Sequence, residues 1–99
     1  MDYKIRIAPF AINDIKSIVE YIKLDDEDIA KEIGNKLYSA INSLVSLPNR
    51  GANLSTKISI KTDFKFIICD NYMIVYRVQD DYVSVYRVFD VRRDYKTLL

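Results

Sequence analysis

The chain has 99 residues, 49% apolar and 29% charged, which fits one folded domain over residues 1–99 and excludes a disordered segment. Its 15 Lys/Arg stand against 14 Asp/Glu, which excludes the strongly basic balance of a protein that coats nucleic acid by charge alone. With no His and one Cys, triads built on His, zinc clusters and an internal disulfide are also excluded, and neither a metal nor a cofactor is expected.

No apolar run approaches the roughly 20 residues that span a bilayer. The start, Met1-Asp2-Tyr3-Lys4-Ile5-Arg6-Ile7, has neither a signal-peptide core nor a cleavage site. The expectation is a cytoplasmic protein with no membrane contact, and the lone Cys69 agrees with a reducing compartment. Charge is uneven along the chain. Residues 1–49 hold 6 Lys/Arg and 8 Asp/Glu, while residues 50–99 hold 9 and 6. Two readings stand: an anionic partner meets the second half, or the asymmetry is chance scatter of surface charge.

Tyr3, Ile5 and Ile7 alternate with Lys4 and Arg6, which predicts a half-buried strand. Pro9 suits the first turn of a helix, where its missing N–H is not needed. Ile12, Ile15, Ile18, Val19 and Ile22 then form one apolar stripe, and the helix is expected to stop near Leu24. Asp25-Asp26-Glu27-Asp28 reads as a helix N-terminus, where carboxylates cap free N–H groups, rather than as a metal site or docking patch. A second helix carries Ile29, Ile33, Leu37, Ala40, Ile41, Leu44 and Leu47 and ends at Pro48-Asn49-Arg50-Gly51. Tyr21 and Tyr38 are expected at the edge of the core, and Cys69 as a small packed side chain.

Residues 52–62 read as a loop, in which Lys57 and Lys61 either follow a nucleic-acid backbone or are ordinary solvated lysines. Three strands follow, Phe64–Cys69, Tyr72–Val78 and Tyr82–Phe89, with turn signals at Asp70-Asn71 and Asp80-Asp81. The order β-α-α-β-β-β predicts a two-layer α+β fold. A helical hairpin covers one face of a mainly antiparallel four-stranded sheet, and a short C-terminal tail follows.

A two-residue turn at Asp80-Asp81 pairs Gln79 with Tyr82, Arg77 with Ser84, Val75 with Tyr86 and Met73 with Val88. Those residues then share the open face. Tyr72, Ile74, Tyr76, Val78, Val83, Val85, Arg87 and Phe89 would face the helices, with Arg87 the misfit at an edge. Arg77, Tyr82 and Tyr86 on the open face, with Arg92, Arg93, Tyr95 and Lys96 in the tail, fit an RNA- or phosphate-binding surface, since Arg grips phosphate and Tyr stacks on bases. A merely solvated face of good strand formers is the alternative.

The segment from Ile60 to Val78, the ending Tyr86-Arg87-Val88-Phe89-Asp90-Val91-Arg92-Arg93-Asp94-Tyr95 and the element order resemble the RelE/ParE superfamily of bacterial toxins. The resemblance implies the toxin of a type II toxin–antitoxin module, held inactive by a cognate antitoxin. RelE-like members cut mRNA on the ribosome, and ParE-like members poison DNA gyrase. For a nuclease, the catalytic candidates are Lys65, Arg77, Arg92, Arg93 and Tyr95. Target-binding candidates are Lys57, Lys61, Tyr82, Tyr86, Arg87 and Lys96. The chain departs from the nuclease pattern, with Met73 where Arg is common and no His near its end. A thioether cannot stabilise a phosphorane. These departures favour a gyrase-directed or other non-nuclease toxin. A RelE-like endonuclease and a non-toxic remnant that keeps antitoxin binding stand as alternatives.

Overall fold

Lys4–Ile7 forms strand β1, and the chain turns at Ala8 into helix α1, Pro9–Lys23. The structure, a computed structural model, describes residues 3–57 and 61–92. Pro9 occupies the first turn of α1, and the helix ends at Leu24 as its stripe predicts. Helix α2 runs Glu27–Asn42. Asp26 is its N-cap, with one carboxylate oxygen accepting the N–H groups of Asp28 at 3.0 Å and Ile29 at 3.1 Å. The acidic run therefore starts a helix. A 3-10 turn at Ser43–Val45 ends the hairpin earlier than the apolar spacing predicts.

The remaining elements are β2 (Ala52–Asn53), a 3-10 turn at Leu54–Thr56, β3 (Lys65–Cys69), β4 (Tyr72–Gln79) and β5 (Tyr82–Asp90). The sheet has five strands in the order β1-β5-β4-β3-β2, all neighbours antiparallel except the parallel pair β1 and β5. The fifth strand comes from the expected loop, where Ala52 pairs with Phe66 and Asn53 with Lys65. Both hairpin turns hold an Asp in the left-handed region, Asp70 and Asp80 each at φ 54°, a conformation that Asp and Asn adopt more readily than most side chains.

The face assignment holds for the first half of β5 and reverses in the second. Gln79 pairs with Tyr82 and Arg77 with Ser84, as the turn predicts. Tyr76 then pairs with Val85, but Val75 pairs with Arg87, so Tyr86 is an extra residue in a β-bulge. Beyond it the alternation is shifted by one. Val88 joins Ile15, Leu37, Ile41, Ile74, Tyr76, Val83 and Val85 in the core beneath the helices, and Phe89 turns to the other face.

That other face is not bare. Leu54 folds over it and packs with Phe66, Met73, Val75 and Phe89 in a second, smaller apolar cluster flanked by Phe64 and Val91. A tyrosine ties this cover to the body. The Tyr76 hydroxyl donates to the Pro48 carbonyl at 2.8 Å and accepts the Gly51 N–H at 3.0 Å. Burial pushes its phenol pKa up. Gly51 fits because a Cβ there would lie 2.5 Å from that hydroxyl and 2.6 Å from the Phe66 carbonyl oxygen.

A candidate protein-binding groove and a cationic sheet face

β1 covers the outer edge of β5 only from Tyr82 to Val85. There the chain leaves the sheet, with the Ala8 N–H bonding the Val85 carbonyl at 2.8 Å before α1 begins. From the bulge to Asp90, the neighbour of β5 on this side is α1. Asp14, one turn into that helix, reaches the strand. Its Oδ2 accepts the Val88 N–H at 2.9 Å and Arg87 Nε at 2.7 Å, and its Oδ1 accepts a terminal guanidinium N–H at 3.0 Å. The Arg87 guanidinium also lies 4.9 Å from the Phe89 ring centroid and 5.8 Å from that of Phe10. Its pKa is raised, first by the hydrogen bond to Asp14. Arg87 therefore leaves the sheet on the outer face with Val75 and Phe89, not on the helix face where unbroken alternation places it, and its head reaches round the β5 edge to a carboxylate rather than to water.

Between α1 and this stretch of strand lies a groove of about 700 Å³. Asp14, Ser17, Ile18, Tyr21 and Ile22 form the helix wall, and Tyr72, Val88, Asp90 and Arg92 form the sheet wall. Asp90, nearly buried, accepts the Arg92 N–H at 2.9 Å and two of its guanidinium nitrogens at 3.3 Å. Both carboxylates in the groove are therefore engaged by arginines. The α1 face beside it is apolar and open to solvent, with Phe10 72%, Tyr21 70% and Leu24 87% exposed. Tyr21 is not the core-edge residue that its sequence position predicts. The signal for this surface was a second apolar spacing on α1, positions 10, 21 and 24, lying apart from the Ile15 stripe.

The other candidates sit elsewhere. On the face away from the helices, the Arg6 guanidinium lies 3.9 Å from the Tyr82 ring centroid, and Tyr86 stacks on Phe64 with centroids 5.0 Å apart. Arg77 is over Phe64 at 5.7 Å and forms an ion pair with Asp63 at 2.9 Å. Lys65 pairs with Tyr76, a core residue beneath the helices, so its side chain leaves the opposite face of the sheet from Arg77, and its Nζ bonds Asn53 Oδ1 at 3.0 Å. Arg92 follows β5, eight residues beyond the partner of Arg77, a span of about 25 Å along a strand. Lys57 lies 5.9 Å from the Phe66 ring centroid, and Lys61 is exposed. Arg93, Tyr95 and Lys96 lie outside the described residues. Lys65, Arg77 and Arg92 therefore do not converge on one point. Among the described residues no group of Cys, Asp and Glu is placed to hold a metal ion, and no helix is long and apolar enough to cross a membrane.

The fold has known counterparts. It is similar to a chain of the chromosomal ParDE toxin–antitoxin system from P. aeruginosa, with a TM-score of 0.75 and 15% identity over 90% of this chain and 96% of that one. It is also similar to a chain of the toxin–antitoxin complex RelBE2 from Mycobacterium tuberculosis, with a TM-score of 0.61 and 18% identity over 91% and 92%. No curated protein matches the sequence. The sequence pattern described as ParE toxin of type II toxin–antitoxin system, parDE, matches residues 5–95, and the chain belongs to that family of toxins.

Proposed function

We propose that this toxin arrests growth by a route other than RNA cleavage, with DNA gyrase as its target, and that a cognate antitoxin protein neutralises it in the cytoplasm. One observation carries the choice between the two activities of the superfamily. Self-cleavage of RNA needs a proton acceptor, a cation for the phosphorane and an acid for the leaving oxygen within reach of one phosphate. Here Lys65 and Arg77 leave opposite faces of the sheet, Arg77 is held by Asp63, and Arg92 is held by Asp90 at the far end of β5. Met73, at the position where many nucleases of the superfamily carry Arg, is buried in the second apolar cluster.

Induction of the chain alone is expected to stop growth, and co-expression of the antitoxin from the neighbouring reading frame to restore it. Unchanged growth on induction would contradict the toxin role and leave the non-toxic remnant. A second reading has its own observation. The outer face carries Arg6 against Tyr82 and a Phe64–Tyr86 stack beside Arg77, an arrangement suited to phosphates and bases. If that face cuts RNA, Arg77→Ala abolishes both toxicity and new transcript ends. On the favoured reading Arg77→Ala produces no change in transcript ends, because there are none to lose.

A further inference from the structure

Three strands bring one row of side chains together on the outer face of the sheet. The parallel pair β1 and β5 sets Arg6 beside Ser84, and the antiparallel pair β5 and β4 sets Arg77 on the other side of the same serine. Neighbouring strands are about 4.8 Å apart, so the two arginines start about 10 Å apart and can reach one phosphate between them. Val83 and Val85 face the core, which turns Ser84 outward. Along β5 the serine is flanked by Tyr82 and Tyr86, both half-buried. The row thus has a small hydroxyl residue at its floor, a guanidinium on each side and a ring at each end. Its cations are available. Among the described residues no carboxylate pairs with Arg6, whose guanidinium lies 3.9 Å from the Tyr82 ring centroid. Asp63 accepts only Nε of Arg77, at 2.9 Å, which leaves the terminal guanidinium nitrogens for a ligand.

We propose that the Arg6–Ser84–Arg77 row grips a phosphodiester of a single-stranded nucleic acid, with bases stacking on Tyr82 and on the Phe64–Tyr86 pair. A free phosphate would use the arginines and leave the rings idle. A duplex hides its base faces in its own stacking, so the rings suit an unstacked strand. The Phe64–Tyr86 stack, with centroids 5.0 Å apart, extends the platform past Arg77, whose guanidinium lies 5.7 Å from the Phe64 centroid. Lys4, 5.8 Å from the Tyr82 centroid, adds a cation at the other end, where Asp81 at 3.9 Å is its partner. Lys65 and Arg92 lie outside the row, so the strand is held and not cut. The site is independent of the gyrase target proposed above.

The test uses the purified full chain with fluorescein-labelled thymidine (DNA) and uridine (RNA) oligomers of about ten nucleotides, affinity read by anisotropy and fold by thermal melting. Binding that weakens as salt rises is expected, and a preference between the two oligomers names the strand by its sugar. Arg6 is exposed, so Arg6→Ala is expected to melt close to wild type. Its affinity is expected to fall about tenfold, with the log–log salt slope reduced by about 0.7. Tyr82→Leu is expected to cost a similar factor at an unchanged salt slope. Lys31→Ala removes the same charge from an exposed position on α2 and is expected to bind as wild type. Binding of neither oligomer overturns the site. Equal losses in Arg6→Ala and Lys31→Ala overturn it too, since general charge would then explain the binding. A polyglutamate peptide that binds as tightly as the oligomers overturns the nucleic-acid occupant. Cleavage of the bound uridine oligomer would count against the non-nuclease reading and leave the row in place.

Discussion

Asp14 makes three hydrogen bonds, and all of them reach β5. It closes the edge where β1 has ended, and it fixes Arg87 between two phenylalanines. Charge-assisted bonds of this kind are each worth more than neutral ones, and the pair is only partly exposed, with 14% of the Asp14 side chain and 34% of the Arg87 side chain open to water. Asp14→Ala is expected to lower unfolding free energy by about 1–3 kcal/mol, read by urea denaturation. A change within a few tenths would mean that water replaces the carboxylate without loss. Cys69 is a second residue with a definite expectation. Burial first, and the Asp70 carboxylate next, push its thiol pKa up, while Lys36 and Arg50 pull it down less. Less thiolate is present at pH 7.5 than for a free cysteine, so alkylation by iodoacetamide is expected to be slower. Alkylation as fast as free cysteine would contradict that. The Asp14–Arg87 pairing was not legible in sequence. Asp14 reads as one more polar position on the helix wheel, and Arg87 lies 73 residues away.

The strand β5 shows where local pattern stops being informative. Alternation in Tyr82-Val83-Ser84-Val85 places Val83 and Val85 inward, and they are. The bulge at Tyr86 then shifts the count by one, and nothing in Tyr86-Arg87-Val88-Phe89 announces it, because apolar residues stand on both sides of the shift. The helices and the meander hairpins were legible for the opposite reason. Pro9, the Asp26 cap and the two Asp-containing turns each act through their own neighbours. The segment after α2 behaves like β5, since its order comes from a distant tyrosine. Tyr76→Phe removes the partner of the Gly51 N–H and of the Pro48 carbonyl, and is expected to cost about 1–3 kcal/mol. Gly51→Ala forces a Cβ against the Tyr76 hydroxyl and the Phe66 carbonyl, and is expected to destabilise by a similar about 1–3 kcal/mol. Denaturation midpoints unchanged in both would show that this latch adds nothing.

At the scale of the molecule, the two layers give the chain two unlike surfaces. The side where α1 meets β5 offers a groove of mixed lining, in which Ile18, Ile22 and Val88 lie beside the Asp14–Arg87 and Asp90–Arg92 pairs. The outer sheet face offers arginines and aromatic rings around a small apolar cluster. The near-neutral net charge concealed both, because ion pairs such as Arg77–Asp63 and Arg92–Asp90 cancel locally. The sequence resemblance pointed to the toxin superfamily, and the family match over residues 5–95 settles membership. What alternation could not supply was the separation of Lys65 from Arg77, which depends on strand register. That separation is the observation on which the proposed non-nuclease reading rests. The most direct test is to induce the wild-type chain without antitoxin and map both transcript 5′ ends and gyrase-linked DNA breaks in the same cells. New DNA breaks with an unchanged transcript-end map are predicted. New transcript ends with intact DNA would contradict the account.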